Sequence, residues 1–274
     1  MSRPLRSSLL TAVGALIVAF FLFPYLVMLF TALKPDGELV TIPPRLLPEH
    51  WTPANFVDVW DAAPLAQHLK VTLIVASVST VLTVLAAAPA AYYTARHDFR
   101  GRRAFMLLVL ITQMFSPIAL LIGLYREFLQ IGLVDSYWAL VLTNAAFNLA
   151  FTIWILNAYF RNIPAELEQA AWMDGCTRRQ ALTRIVLPLA APGLVTAVIF
   201  CFIAAWNEYV IALTLINTPE NQPLTLGVTS FIGLNETEWQ FLFAASLIAV
   251  VPVVVLFGLI ERYLIAGLTA GSIK

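Results

Sequence analysis

Apolar residues in this chain fall in six long blocks, not in the short alternations of a soluble fold. Uncharged stretches run over 9–33, 71–95, 104–125, 136–160, 185–207 and 239–260. Each exceeds the roughly 18 residues that mark a bilayer-crossing helix. Each is therefore predicted to span a membrane, the fifth reaching about 216 once a short polar interruption is included. The connections are too short to hold a separate soluble domain of typical size. The expected fold class is all-α and integral to the membrane: six transmembrane helices forming one domain over 1–274.

Composition agrees, with 60% hydrophobic and 12% charged residues against roughly 25% charged in an ordinary soluble domain. An ordinary soluble enzyme is excluded. Formal net charge is zero, so bulk electrostatics argue neither for nucleic acid nor for an anionic surface; membrane lipid is an expected partner and nucleic acid is not. The placement of the charges sets the topology. With the N-terminus cytoplasmic, twelve of the sixteen basic residues fall on the inner side, in Arg3 and Arg6, the Arg96–Arg103 connection, the 161–184 connection and the C-terminus. Lys34, Arg45, Lys70 and Arg126 remain outside. This is the positive-inside asymmetry, and it places both termini in the cytoplasm.

The first stretch follows two arginines as a secretory signal would, but its 25 uncharged residues exceed a 7 to 15 residue signal core, so it is expected to be retained. Cys176 and Cys201 occupy an inner loop and a span, where no oxidising compartment reaches a pair, so no disulfide is expected. The outer segments are 34–70, 126–135 and about 217–238. The first holds Pro35, Pro43, Pro44, Pro48 and Pro53 and is expected to form an irregular cap with short helices. Pro24, Pro89, Pro117, Pro188, Pro192 and Pro252 lie within apolar stretches, and each is predicted to bend its helix.

The inner connection 161–188 reads RNIPAELEQAAWMDGCTRRQALTRIVLP, and its signals predict two short helices meeting at a glycine. Pro164 suits a first helical turn, and Glu166 and Glu168 lie near the positive N-terminal end. Gly175 ends that helix. Thr177 and Gln180 have the spacing of a capping box, which starts a second helix at once. Leu167, Ala170, Ala171 and Asp174 recur at helical spacing and predict a small, mostly apolar face suited to a cleft.

Here the chain resembles the inner-membrane permease subunits of ABC importers, whose loop has the pattern EAA, three residues, Gly, nine residues, Ile, one residue, Leu, Pro. Ala170, Ala171, Gly175, Ile185, Leu187 and Pro188 stand at those spacings. From average residue frequencies, six such matches in one frame arise by chance in on the order of 10⁻³ of chains this long. The glutamate position is occupied by Gln169, with Glu168 just before it, so an ion pair becomes a neutral hydrogen-bonding group. AAYYTARHDFRGRR from 90, AAWNEYVIAL from 204, PLTLGV from 223 and RYLIAGLTAGSIK from 262 are similar to the carbohydrate-importing, maltose and glycerol-phosphate type, in particular its second permease.

The resemblance implies a set of partners: a second, different permease subunit, a cytoplasmic ATPase dimer docked on the elbows of both, and an extracytoplasmic sugar-binding protein. It places the chain in the bacterial inner membrane. It also makes Glu168, Gln169, Ala170, Ala171, Asp174, Gly175, Ile185, Leu187 and Pro188 the ATPase-coupling residues, with ATP and Mg held by the partner and no cofactor bound directly. The sequence supports a non-catalytic subunit from its own side, since it has no GxxxxGK(S/T) phosphate loop, no HExxH helix, no cysteine cluster and no GxSxG turn. His50, His68 and His97 are scattered, so no metal site is expected.

Glu208, after Trp206 and Asn207, is the one clear ionisable group inside a span. Such groups mark either a transport path or helix packing. Asn144 and Asn148, one turn apart in the fourth span, and Gln113 ahead of Pro117 complete the candidate translocation path as a set of polar faces around a shared cavity. Tyr92, Tyr93, Tyr137, Trp138 and Trp239 read as interfacial anchors. A self-sufficient channel or ion-coupled carrier is the alternative, and such a carrier is expected to hold several acids near the midplane. The sugar itself stays open among disaccharide, oligosaccharide, amino sugar and glycerol-phosphate conjugate.

Overall fold

The computed structural model describes residues 3–43, 45–233 and 236–269. The chain divides into two compact units, Met1–Gln67 with Gly227–Pro252, and His68–Leu226 with Val253–Lys274.

In the first unit, α1 spans Arg3–Ala32 and from Leu9 onward is apolar nearly all round, with Leu16 and Phe20 more than 70% exposed. A helix of that kind is at home in lipid or against other helices. It ends in the proline-rich cap, which is irregular apart from a 3-10 turn at Asp36–Glu38 and helix α2 at Asn55–Ala62. Pro44 lies outside the described residues. The buried Asn55 amide fixes the cap by donating to the Ala32 and Lys34 carbonyls at 2.8 Å each. Glu38 accepts from the backbone N–H groups of Glu49 and His50.

The second unit contains most of the helices. Helix α3 (Leu65–Arg96), in this unit from His68 onward, starts six residues ahead of the apolar stretch because the polar turn at Gln67–Lys70 continues the same helix. Helix α6 (Tyr137–Asn162) is capped by Ser136, whose hydroxyl oxygen accepts from the Ala139 N–H. It stops where Pro164 holds Ile163 in an extended conformation, ψ 124°. Two interior clusters form between the helices. One joins Val71 and Val75 to Leu140 and Leu215; the other joins Ala87 and Ala91 to Leu156, Phe160, Val186 and Ala197.

Two predicted spans are broken. The third is α4 (Arg102–Thr112) and α5 (Pro117–Gln130), bent by 92° at the intervening residues. The fifth is α8 (Arg178–Leu189) and α9 (Ala191–Trp206), bent by 72°, followed after a second break by α10 (Val210–Leu215). Among the described residues, four helices are long and apolar enough to cross a membrane, or up to six if each bent pair is one span. Prolines explain part of the difference. Pro117 and Pro192 stand in the first turn of the helix after the break, where a missing N–H costs nothing. Pro24, Pro89 and Pro252 lie inside continuous helices. Pro188 follows a π-turn at Leu182–Val186, which takes up the ring where a regular ladder would clash. The last helix, α11, spans Trp239–Thr269, so the motif opening at Arg262 continues as helix and its residues 270–274 lie outside the described residues.

Candidate functional site

The 161–188 connection is an elbow built by local chemistry. Helix α7 (Glu166–Met173) begins just after Pro164 and ends at Gly175, which takes φ +85°. Cys176 N–H reaches back to the Ala171 carbonyl at 2.9 Å, the closure typical of a glycine-terminated helix. A Cβ on Gly175 meets nothing within 4 Å, so it is the backbone, not the space, that requires glycine. Both capping-box bonds are present. The Gln180 N–H donates to Thr177 Oγ1 at 3.3 Å, and the Thr177 N–H donates to Gln180 Oε1 at 2.8 Å. Helix α8 therefore starts two residues after the glycine turn.

The expected small face of α7 needs correction. Leu167, Ala170 and Asp174 are exposed, but Ala171 is turned inward and buried. Trp172 and Met173 take its place outside, Met173 with 89% of its surface exposed. Arg178 lies over the Trp172 ring, 5.4 Å from its centre, an arrangement that steadies both across the elbow. Gln169 is exposed at the rim of a cavity of about 330 Å³ that also borders Tyr92, Arg96, Trp172 and Arg179. Leu187 packs against the inner cluster, Ile185 is half-buried and Pro188 is exposed. The sequence reading missed Val186 and Ala190, which anchor α8 in that cluster fully buried.

Glu168 differs from its expected place, because it faces the protein interior. It is 3% exposed. Its Oε2 accepts from the Tyr92 hydroxyl at 2.5 Å, and its Oε1 lies 2.5 Å from Arg96 Nε. The Arg96 N–H does not point along that line, so the contact is an ion pair and not an aligned hydrogen bond, and Nη2 finds no partner among the described residues. Tyr92 is thus no simple interfacial anchor. Asn157, also missed, ties α6 to α3 by donating to Thr94 Oγ1 at 2.8 Å.

Of the path candidates, Gln113 lines a groove that Asn144 and Asn148 do not share. Asn144 and Asn148 donate back along their own helix, to the Leu140 and Asn144 carbonyls, as polar side chains in membrane helices often do. Gln113 lies in the break between α4 and α5 and donates to the Phe147 carbonyl at 3.4 Å. The groove of about 380 Å³ beside it is walled by Phe115, Pro117 and Phe147, and neither asparagine lines it. Trp206 is buried and stacked on Phe202, while Asn207 is exposed at the end of α9. Glu208 accepts from the backbone N–H groups of Ile211 at 2.7 Å and Ala212 at 3.1 Å, which makes its carboxylate the cap of α10. Among the described residues no three His, Cys, Asp or Glu side chains gather where they can hold a metal ion.

Asp135 adopts φ +62° and joins two loops. Its Oδ1 accepts from the N–H groups of Asn217 and Thr218 and from the Thr218 hydroxyl, at 2.9 to 3.1 Å. Burial pushes the carboxyl up, but these bonds outweigh it and hold Asp135 below the usual carboxylate value.

Residues 84–269 match the family described as binding-protein-dependent transport system inner membrane component. The chain is 35% identical over 262 residues to the inner membrane ABC transporter permease protein YcjP of Escherichia coli, covering 95% of this chain and 94% of that one. It is 34% identical over 278 residues to the trehalose/maltose transport system permease protein MalG of Thermococcus litoralis, covering 100% and 99%. It is 35% identical over 253 residues to the sulfoquinovosyl glycerol transport system permease protein SmoH of Agrobacterium fabrum, covering 92% and 89%. A chain in the crystal structure of a bacterial ABC transporter that imports alginate superposes with a TM-score of 0.82 at 23% identity, covering 96% and 98%, so the fold is shared.

Proposed function

Because the chain belongs to the binding-protein-dependent inner-membrane components, the permease subunits of ABC transporters, we propose that it is one of two different permeases in an ATP-driven importer of a sugar or glycoside. The observation that carries the substrate class is the end-to-end similarity to permeases named for trehalose/maltose and for sulfoquinovosyl glycerol. The six apolar stretches act as six spans, two of them bent, with the elbow and both termini in the cytoplasm. Residues 161–188 are the coupling element. Helix α7 enters a cleft on an ATPase subunit that binds ATP and Mg, while a binding protein delivers the sugar outside. Closure of the ATPase dimer draws the two elbows together. Helix α8, held to α7 by the capped glycine turn and rooted in the inner cluster by Val186 and Ala190, passes that displacement to the spans and opens the path outward. Hydrolysis reverses it.

The test is Gly175→Val in the complete transporter. A left-handed conformation costs an L-residue about 1 to 2 kcal/mol, and β-branching adds to that. Since the Cβ position is open, the substitution distorts the turn without disturbing the chain's interior. Normal membrane levels are expected, with loss of sugar uptake and of substrate-stimulated ATPase. Full uptake by Gly175→Val overturns the coupling assignment, and uptake by the purified chain alone favours a self-sufficient carrier.

A further inference from the structure

The contacts of Glu168 join α7 to the end of α3, more than 70 residues earlier in the chain. Tyr92 and Arg96, four residues apart on one face of α3, both reach it. The same guanidinium donates through Nη1 to the Ile163 carbonyl, at the end of α6, at 2.8 Å. One arginine at the inner end of α3 therefore holds both the start of the elbow and the inward side of α7. The charges are shielded, with side-chain exposures of 11% for Arg96 and 4% for Glu168. The hydroxyl of Tyr92 is itself set in place by its ring, which meets Phe160 edge-on, centres 5.7 Å apart. A short helix whose outer face is free to dock needs little of this for folding alone, because its ends are already fixed by Pro164 and by the glycine turn.

We propose that Glu168 is a positioning residue, and that Glu168, Arg96 and Tyr92 form a brace that makes α7 and the inner end of α3 move as one body when the ATPase acts. The inference rests on the reading of 161–188 as the coupling element. It gives α7 a second mechanical output besides α8. The displacement enters α3 through the brace, and α3 carries it into the inner cluster, where Ala87 and Ala91 pack. The hold is chiefly one of charge, since the Nε–Oε1 contact is misaligned as a hydrogen bond. Loss of the carboxylate charge is therefore expected to matter more than loss of the tyrosine hydroxyl. Gln169, one position on and exposed, takes no part and is left to meet the partner.

The experiment uses the complete transporter in lipid vesicles, with Cys176→Ser and spin labels on Met173→Cys in α7 and Tyr93→Cys in α3, both exposed positions. Distances between the labels are measured without nucleotide and after trapping with ATP and vanadate. With the brace intact, one narrow distance is expected in both states. Glu168→Gln is expected to broaden it or add a second distance in the trapped state, Tyr92→Phe to do so less, and Arg96→Lys, which keeps the charge, to stay near the parent. If Glu168→Gln fails to assemble, the pair Glu168→Gln with Arg96→Gln leaves no charge buried alone and carries the same expectation. Distances in these variants that match the parent in both states overturn the brace and leave the coupling role standing. A Met173 label that stays as mobile with the ATPase bound as without it overturns the coupling role itself, and the brace with it.

Discussion

Gly193 and Tyr159 set how closely α9 approaches α6. A Cβ added at Gly193 lies 2.3 Å from Tyr159 Cγ, the ring atom nearest the backbone, which cannot swing away as a flexible side-chain tip does. Small residues at such crossings let membrane helices pack closely. Gly193→Ala is expected to lower stability by about 1 to 3 kcal/mol, the usual cost of overpacking, seen as a reduced melting temperature in detergent, with much of the loss recovered when Tyr159→Ala is added. An unchanged melting temperature for Gly193→Ala contradicts this packing. At this scale the sequence was legible wherever the chemistry is local. The Gly175 turn and the Thr177–Gln180 box involve neighbours within a few residues, and both stand where the spacing put them. Glu168 was not legible, because its partner Tyr92 is 76 residues away, and position in a motif says nothing of which way a side chain faces. A charge amid the apolar residues of a short helix was the one available signal.

Among the elements, the uncharged stretches correspond to helices because a long apolar run records the transfer of a helix into lipid whatever its shape. Breaks leave a fainter trace. Proline has the same letter at a helix start as inside a helix, so Pro117 and Pro192, which begin helices, could not be told from Pro89 and Pro252, which lie within them. The loops around Asp135 and Thr218, in contrast, are joined by charge, through the bonds that Asp135 accepts from Asn217 and Thr218. A carboxyl whose native value is depressed stabilises the junction fully above its ordinary value and loses that contribution as the pH falls through the native one. Hydrogen-exchange protection of the Asn217 and Thr218 amides, corrected for intrinsic rates, is expected to hold from neutral pH down to the ordinary carboxylate range and to fall below it. In Asp135→Asn it is expected to be weaker and flat across that range, since a charged acceptor binds about twice as strongly as a neutral one. Protection in Asp135→Asn equal to the parent's contradicts the junction.

For the whole molecule, the family membership and the elbow give one account. Under the proposed function, the chain takes its power stroke from a partner through a cytoplasmic projection, and returns it to the spans through α8 and through the Glu168 brace. The polar residues first assigned to a path are largely engaged in helix structure: Asn144 and Asn148 on their own helix, Glu208 at the start of α10. This places the weight of the account on the docking of α7. The direct measurement is crosslinking of Met173→Cys, in a Cys176→Ser background, to a cysteine in the cleft of the ATPase subunit of the assembled transporter, using a short bifunctional thiol reagent in inverted membrane vesicles. The account predicts a crosslinked permease–ATPase species whose yield changes when ATP is bound. An intact complex in which Met173→Cys reacts freely with small thiol reagents and never joins the ATPase contradicts it.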